Sequence, residues 1–374
     1  MRTVLLYIMI DNLNVIRRMD YCCCKIVKSF FLLLCIGVLG TISSCKQTPP
    51  SIVFEFDLNQ MDSVCERNVK EYYSIVCVDS TPNNLVYMNL LRKDFSKLLN
   101  KSVFNFVDVS LEKNQWYRQW LSFFRTPLTC VFSAENNSLI AVVDGASKNS
   151  FRKIEYALDN NRIEDGFCYL NSFKNVDNEK LISALNDILK SKQYMEQNLD
   201  FSIEVDNSLN VIRYPYNLYL KSISEMSLGN DSVASKYARE LLDLTEPFYV
   251  ENFENLYLKA KFVINPELEL DDEPRLFINN AKIELNECEK NKTMLVQVEL
   301  KNIGNKTLQI NNVSPSCSCL ELLGNWKCTI GCDESCVLSF KFTPDAKGEM
   351  FREIVIVSNA INAYEKIEIL ANVR

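Results

Sequence analysis

The sequence predicts a multidomain chain, α/β first and all-β last. Three observations predict it. Around Ser80-Thr81-Pro82-Asn83-Asn84, apolar runs of strand length alternate with helical periodicity. Residues 165–265 carry helical periods only. Beyond Asp271-Asp272-Glu273-Pro274 the hydrophobic period drops to two, the signature of strands with one buried face. A length of 374 residues suits two or three domains, and 47% hydrophobic residues suffice for real cores.

Composition removes several chemistries. The chain has no histidine, which excludes Ser–His and Cys–His catalysis and imidazole metal sites. Net charge is −7 without a long basic run, which argues against a nucleic-acid partner.

The N-terminus has the layout of an export signal. Lys25 and Lys28 precede an apolar stretch over 30–39, too short to span a bilayer, which takes about 20 residues. Ile42-Ser43-Ser44-Cys45 then resembles a bacterial lipobox, with Ile42 and Ser44 departing from the usual residues. The resemblance implies a signal peptide over 1–44, lipidation of Cys45, and a polar tether over 45–51. Acyl chains on Cys45 would make the lipid bilayer a partner, because each buried CH₂ contributes about 0.8 kcal/mol. An ordinary signal peptide with a coincidental cysteine is the alternative. Met19 gives a more normal start than Met1, so translation is expected there. Export exposes the chain's 15 cysteines, where they remain in the mature protein, to an oxidising space.

From residue 52 strands and helices alternate. Ile52-Val53-Phe54-Glu55-Phe56 reads as a strand, 61–70 as a short helix, and Ser74-Ile75-Val76-Cys77-Val78 as a second strand. A helix follows with Leu85, Met88, Leu91, Phe95 and Leu98 on one face; Thr81 suits its cap and Pro82 its first position. A strand over 103–109 and a helix with Trp116, Trp120 and Phe123 come next. Thr126-Pro127 opens a hairpin that ends at Asp144-Gly145, and a helix occupies 150–158.

Over 52–160 this order resembles the thioredoxin-like fold. The strand into Ser80–Asn84, the helix after it, Thr126-Pro127 before a strand, and the hairpin ending at Gly145 carry the likeness. The resemblance implies a cis bond at Pro127 and a peptide-binding groove lined by Thr81, Asn84, Thr126 and Pro127. It also exposes a departure. Thr81 and Asn84 stand where that family carries Cys-x-x-Cys, and neither can exchange a disulfide. Cys77 and Cys130 lie in strands that the topology makes neighbours. They read as small buried hydrophobes, with a cross-strand disulfide or a displaced redox pair as alternatives.

In 165–265, Leu181, Leu185, Ile188 and Leu189 mark one helix, and Tyr216, Tyr219, Leu220, Ile223 and Met226 another, entered after Pro215. Gly229 breaks it; a helix with Val233, Tyr237 and Leu241 follows, and one with Phe253, Leu256 and Ala260 comes after Pro247. The pair around Gly229 resembles one tetratricopeptide-type hairpin. A solenoid needs about three, so plain packed helices and a partial repeat both stand.

Over 273–374, Val296, Val298 and Leu300 alternate with polar residues, as do Leu338, Phe340 and Phe342. About seven such strands argue for an immunoglobulin-like β-sandwich. Lys301-Asn302-Ile303-Gly304, Ser316-Cys317-Ser318-Cys319-Leu320 and Val357-Ser358-Asn359 resemble a bacterial domain family of unknown function, related to the ASPM–SPD–Hydin sandwich. No activity follows from that likeness. Cys288, Cys317, Cys319, Cys328, Cys332 and Cys336 are candidates for disulfides, with 15 possible connectivities. A thiolate site for Zn²⁺ or Cu(I), or free thiols, are the alternatives.

The expected function is that of a non-enzymatic, lipid-anchored envelope protein, on the outer membrane and facing the periplasm. It would bind an envelope protein or peptide, without cofactor or metal. A thiol–disulfide redox protein and a metal-binding protein are the competing expectations.

Overall fold

A computed structural model describes residues 52–54, 70–123, 125–164, 173 and 176–374. The expected signal peptide, Cys45, the tether, and the 61–70 helix save Lys70 lie outside them.

The first sheet holds five strands: β1 (Ile52–Phe54), β2 (Tyr72–Val78), β3 (Ser102–Asp108), β4 (Leu128–Ser133) and β5 (Leu139–Asp144). Their order is β1-β3-β2-β4-β5. β3 pairs parallel with β1 and β2, while β4 runs antiparallel to β2 and β5. β2, β3 and β4 are buried almost throughout, so they read as continuous apolar runs rather than as alternation.

Helices α1 (Asn83–Lys93), α2 (Leu98–Lys101), α3 (Gln115–Leu121) and α4 (Lys148–Asn160) accompany the sheet. Five more follow: α5 (Asn178–Glu196), α6 (Ser202–Leu209), α7 (Pro215–Ser227), α8 (Asp231–Leu242) and α9 (Pro247–Ile264). Their buried side chains join those of the sheet in one hydrophobic cluster. Two polar clamps make the join. Trp120 Nε1 donates to Leu185 O at 2.9 Å, and Tyr214 OH donates to Trp120 O at 2.6 Å. On α5, Asn186 Nδ2 donates to Leu139 O and its Oδ1 accepts from Leu139 N, both at 2.8 Å. That side chain does for edge strand β5 what a neighbouring strand would do.

The C-terminal region is two stacked sheets. One is ordered β10-β12-β8-β6, from β6 (Leu276–Ile278), β8 (Met294–Asn302), β10 (Leu320–Leu323) and β12 (Ser335–Phe342). The other is ordered β11-β9-β13-β14-β7, from β7 (Lys282–Cys288), β9 (Leu308–Pro315), β11 (Thr329–Ile330), β13 (Gly348–Ser358) and β14 (Tyr364–Val373). On β8 and β12, Val296, Val298, Leu300, Leu338, Phe340 and Phe342 point inward and Leu295, Glu299, Val337 and Lys341 outward.

The acidic stretch before Pro274, which reads as a linker, is anchored. Lys261 Nζ on α9 donates to Glu273 Oε2 at 3.1 Å and to Asn359 O at 2.6 Å, while Lys306 Nζ donates to Glu273 Oε1 at 2.8 Å. Burial lowers the Lys261 ammonium below its ordinary range. Burial also works against the Glu273 charge, but hydrogen bonds from Lys306 and Lys261 hold its carboxyl low. Gly304 sits under this segment: a Cβ there would lie 2.2 Å from Glu273 O, so no other residue fits.

Candidate functional site

The site forms where β2 runs into α1. Asp79, the residue after the strand, organises the turn. Its Oδ1 accepts from Thr81 N at 2.9 Å, and Asn84 Nδ2 donates to Asp79 O. The turn closes with Asn84 N to Thr81 O at 3.2 Å and Leu85 N to Pro82 O at 3.1 Å. The helix cap differs from the sequence expectation. Pro82 holds the cap position, and the Thr81 hydroxyl turns to Thr126 Oγ1 at 3.4 Å instead.

The buried stripe of α1 is also offset from expectation. Tyr87 and Leu91 fill it, and the Tyr87 hydroxyl meets Thr129 Oγ1 at 2.9 Å. Leu85, expected inside, is 68% exposed, and Val86 beside it is exposed too. A tyrosine can take the inner position because its hydroxyl finds a partner there.

Thr126 and Pro127, both buried, face the turn from the start of β4, and the peptide bond between them is cis. Pro127 O accepts from Gly145 N at 2.9 Å, which ties this segment to the end of β5. Arg118 on α3 sets a cation beside the turn, its Nη2 3.5 Å from Asp79 Oδ2. Burial works against the Asp79 charge, yet hydrogen bonds from Thr126, Thr81 and Asn84 keep its carboxyl below the usual range. The geometry thus brings Thr81, Asn84, Thr126 and Pro127 together and adds Asp79, Arg118, Leu85 and Val86. Sequence reasoning missed Asp79 and Arg118. An Asp directly after a strand and two residues before a turn Thr was the available signal.

This arrangement offers hydroxyls, an amide, one ion pair and exposed aliphatic surface, with no thiol among these side chains. Cys77 and Cys130 are unbonded and fully buried in the sheet. Cys77 registers with Leu128 and Cys130 with Ile75, so the two sit diagonally across β2 and β4. Burial pushes the Cys77 thiol up to about 12, with Arg118 opposing only in part, and burial together with Cys77 raises Cys130. Both stay protonated near neutrality and are poor nucleophiles.

Among the described residues, the disulfides lie in the sandwich. Cys317 pairs with Cys319 and Cys328 with Cys336. Cys288 and Cys332, expected among the bridged cysteines, are free thiols. Cys288 is turned into the core, where its Sγ meets Leu285 O at 3.5 Å and Met294 Sδ at 3.7 Å. Cys332 is exposed in the turn between β11 and β12, while Cys328 and Cys336 on either side of it bond to each other. Among the described residues, no three His, Cys, Asp or Glu side chains converge as metal ligands. A small cavity of about 70 Å³ lies where α9 meets the sandwich, lined in part by Tyr257, Lys261, Val357 and Asn359.

Comparison with known proteins adds the following. Residues 276–373 match the model of a protein family of unknown function (DUF1573). No curated protein matches the chain. Among solved structures, a protein of unknown function from Porphyromonas gingivalis W83 is 16% identical over 29% of this chain, with a TM-score of 0.25. The match spans 50% of that protein's length. The ASH / PapD-like domain of human CEP192 is 11% identical, covering 29% of this chain and 91% of that one, TM-score 0.25. Thioredoxin f2 of Chlamydomonas reinhardtii is 14% identical, covering 30% of this chain and 99% of that one, TM-score 0.24.

Proposed function

We propose that this protein is a lipid-anchored component of the bacterial envelope whose thioredoxin-like domain binds a peptide or partner protein without performing chemistry on it. One observation carries the reading. The turn after β2 presents Thr81 and Asn84 beside exposed Leu85 and Val86, where a redox enzyme of this fold would present two thiols. Exposed aliphatic side chains give a partner apolar area to bury, and the hydroxyls and amide give it hydrogen-bonding partners. Arg118 and Asp79 add charge that orients an extended segment. Cys45 supplies the anchor, most simply in the outer membrane on its periplasmic side, and the sandwich with its family of unknown function serves as a contact module.

The test is hydrogen exchange on the full chain with and without an extended peptide selected against it. Protection over 80–88 and 126–128 is expected. Protection confined to other segments, or turnover of insulin disulfides that survives the double variant Cys317→Ser, Cys319→Ser, contradicts the reading. Metabolic labelling with palmitate checks the anchor: incorporation should vanish in Cys45→Ser.

A further inference from the structure

We infer that the Cys317–Cys319 disulfide is a thiol-exchange site, an electron acceptor for a dithiol, with Arg352 stabilising the sulfur that leaves. The inference is independent of the groove, which lies in another sheet and holds no sulfur.

Three features carry it. First, the two sulfurs differ in access. Cys317 is half-buried, while Cys319 keeps only 9% of its surface, so an incoming thiolate reaches Cys317. Second, a cation sits on the inner sulfur. Arg352 Nε donates to Cys319 Sγ at 3.1 Å. Exchange is faster when the departing thiol has a low pKa, and a neighbouring guanidinium lowers it. Third, the loop and the guanidinium are both held in place. Ser316 N donates to Glu353 O at 2.8 Å, Glu353 N to Ser316 Oγ at 2.9 Å, and Thr343 N to Cys319 O at 2.8 Å. Arg352 Nη1 donates to Phe351 O at 2.8 Å and Nη2 to Asp345 Oδ1 at 3.3 Å. Asp345 is exposed, so its carboxylate offsets part of the Arg352 charge without cancelling it.

The step balances with a dithiol as reductant. One thiol gives its proton to solvent, and the thiolate attacks Cys317 Sγ. A mixed disulfide forms, the Cys317–Cys319 bond breaks, and its electron pair leaves on Cys319 as a thiolate held by Arg352. The second thiol, also deprotonated, then attacks the dithiol's own sulfur in the mixed disulfide and releases Cys317 as a thiolate. The dithiol becomes a disulfide, losing two electrons and two protons. Cys317 and Cys319 gain the electrons and take up protons according to pH.

The test exposes the full oxidised chain to graded dithiothreitol, then alkylates and maps each cysteine pair. The Cys317–Cys319 bond should open before Cys328–Cys336. Brief reduced glutathione followed by acid quench should leave its adduct on Cys317. Arg352→Ala should slow opening about tenfold, with Arg352→Lys in between, because the leaving thiolate loses its donor. A role confined to folding would instead speed the opening of both bonds. Should Arg352→Ala do that, Asp345→Asn decides, since it strips the counter-charge and leaves the guanidinium: faster opening of Cys317–Cys319 alone supports the inference, and an unchanged rate overturns it. An adduct on Cys319, or opening only in denaturant, also overturns it.

Discussion

The two halves of this molecule treat sulfur differently, although each seals a free thiol in its core, Cys288 in the sandwich. In the α/β half, Cys77 and Cys130 are sealed in the sheet, and the turn after β2 carries Thr81 and Asn84. In the sandwich, which has no such turn, four cysteines are bonded and Cys332 faces solvent. The cores differ in the same sense. The α/β half shares one thick core with its helices, deep enough to remove a thiol from water altogether. The sandwich core lies between two sheets, and Cys317, Cys328 and Cys336 pack against it only partly buried. The lesson is that the state of a cysteine follows its burial: among the described residues, the α/β half holds only sealed thiols.

The largest expected effect tests whether the α/β half is one unit. Trp120→Ala removes a fully buried ring whose Nε1 donates to Leu185 O. It should cost about 3–5 kcal/mol, with sheet and helices unfolding together by circular dichroism. Trp326 packs against the sandwich core, so its fluorescence transition should not move. A helical segment that melts by itself would break the picture of one shared core.

The next test concerns the joint between the halves. Glu273→Gln weakens the pairing with Lys261 and Lys306 and should cost about 1–3 kcal/mol, read as a lower midpoint in thermal unfolding. The acid side sharpens it. The folded Glu273 carboxyl is held below its ordinary value of 4.5, so its charge stabilises the fold above that pH. That contribution is lost as pH falls through the lower, folded value. Glu273→Gln should lose this part of the acid-side slope in a denaturation series.

Smaller still is the contrast in reactivity. In the native chain Cys332 should alkylate within minutes near pH 8, while Cys77 and Cys130 react only after denaturation, read by mass mapping. Equal rates would erase the distinction between sealed and exposed sulfur. The smallest effect is on stability at the turn. Leu85→Asp should change it by no more than about 0.5 kcal/mol, since the side chain is mostly solvated already.

Much of this was visible in local periodicity. The order of strand, turn and helix around Ser80, and the alternation of Val296, Val298 and Leu300, follow from spacing within a few residues. What was not visible depends on distant partners. The Asn186 clamp on edge strand β5 and the hydrogen bonds of Trp120 join residues 47 to 94 positions apart. The offset of α1, with Tyr87 inward and Leu85 outward, turned on a hydroxyl partner at Thr129 that no helical pattern reveals. Asp79 was one carboxylate among 48 acidic residues until the turn folded around it. The apparent linker at Asp271–Pro274 looked slack because its anchors, Lys261, Gly304 and Lys306, lie elsewhere in the sequence. Six cysteines left 15 pairings open, and only the loop geometry selects two bonds.

The most direct measurement is a titration of the full chain with a selected extended peptide, comparing the parent with the double variant Leu85→Asp, Val86→Asp. Burying one aliphatic side chain contributes about 1.5–3 kcal/mol, so the variant should bind at least about tenfold more weakly with an unchanged melting temperature. Equal affinity in parent and variant would contradict the account, because the peptide would then be held somewhere other than the turn after β2.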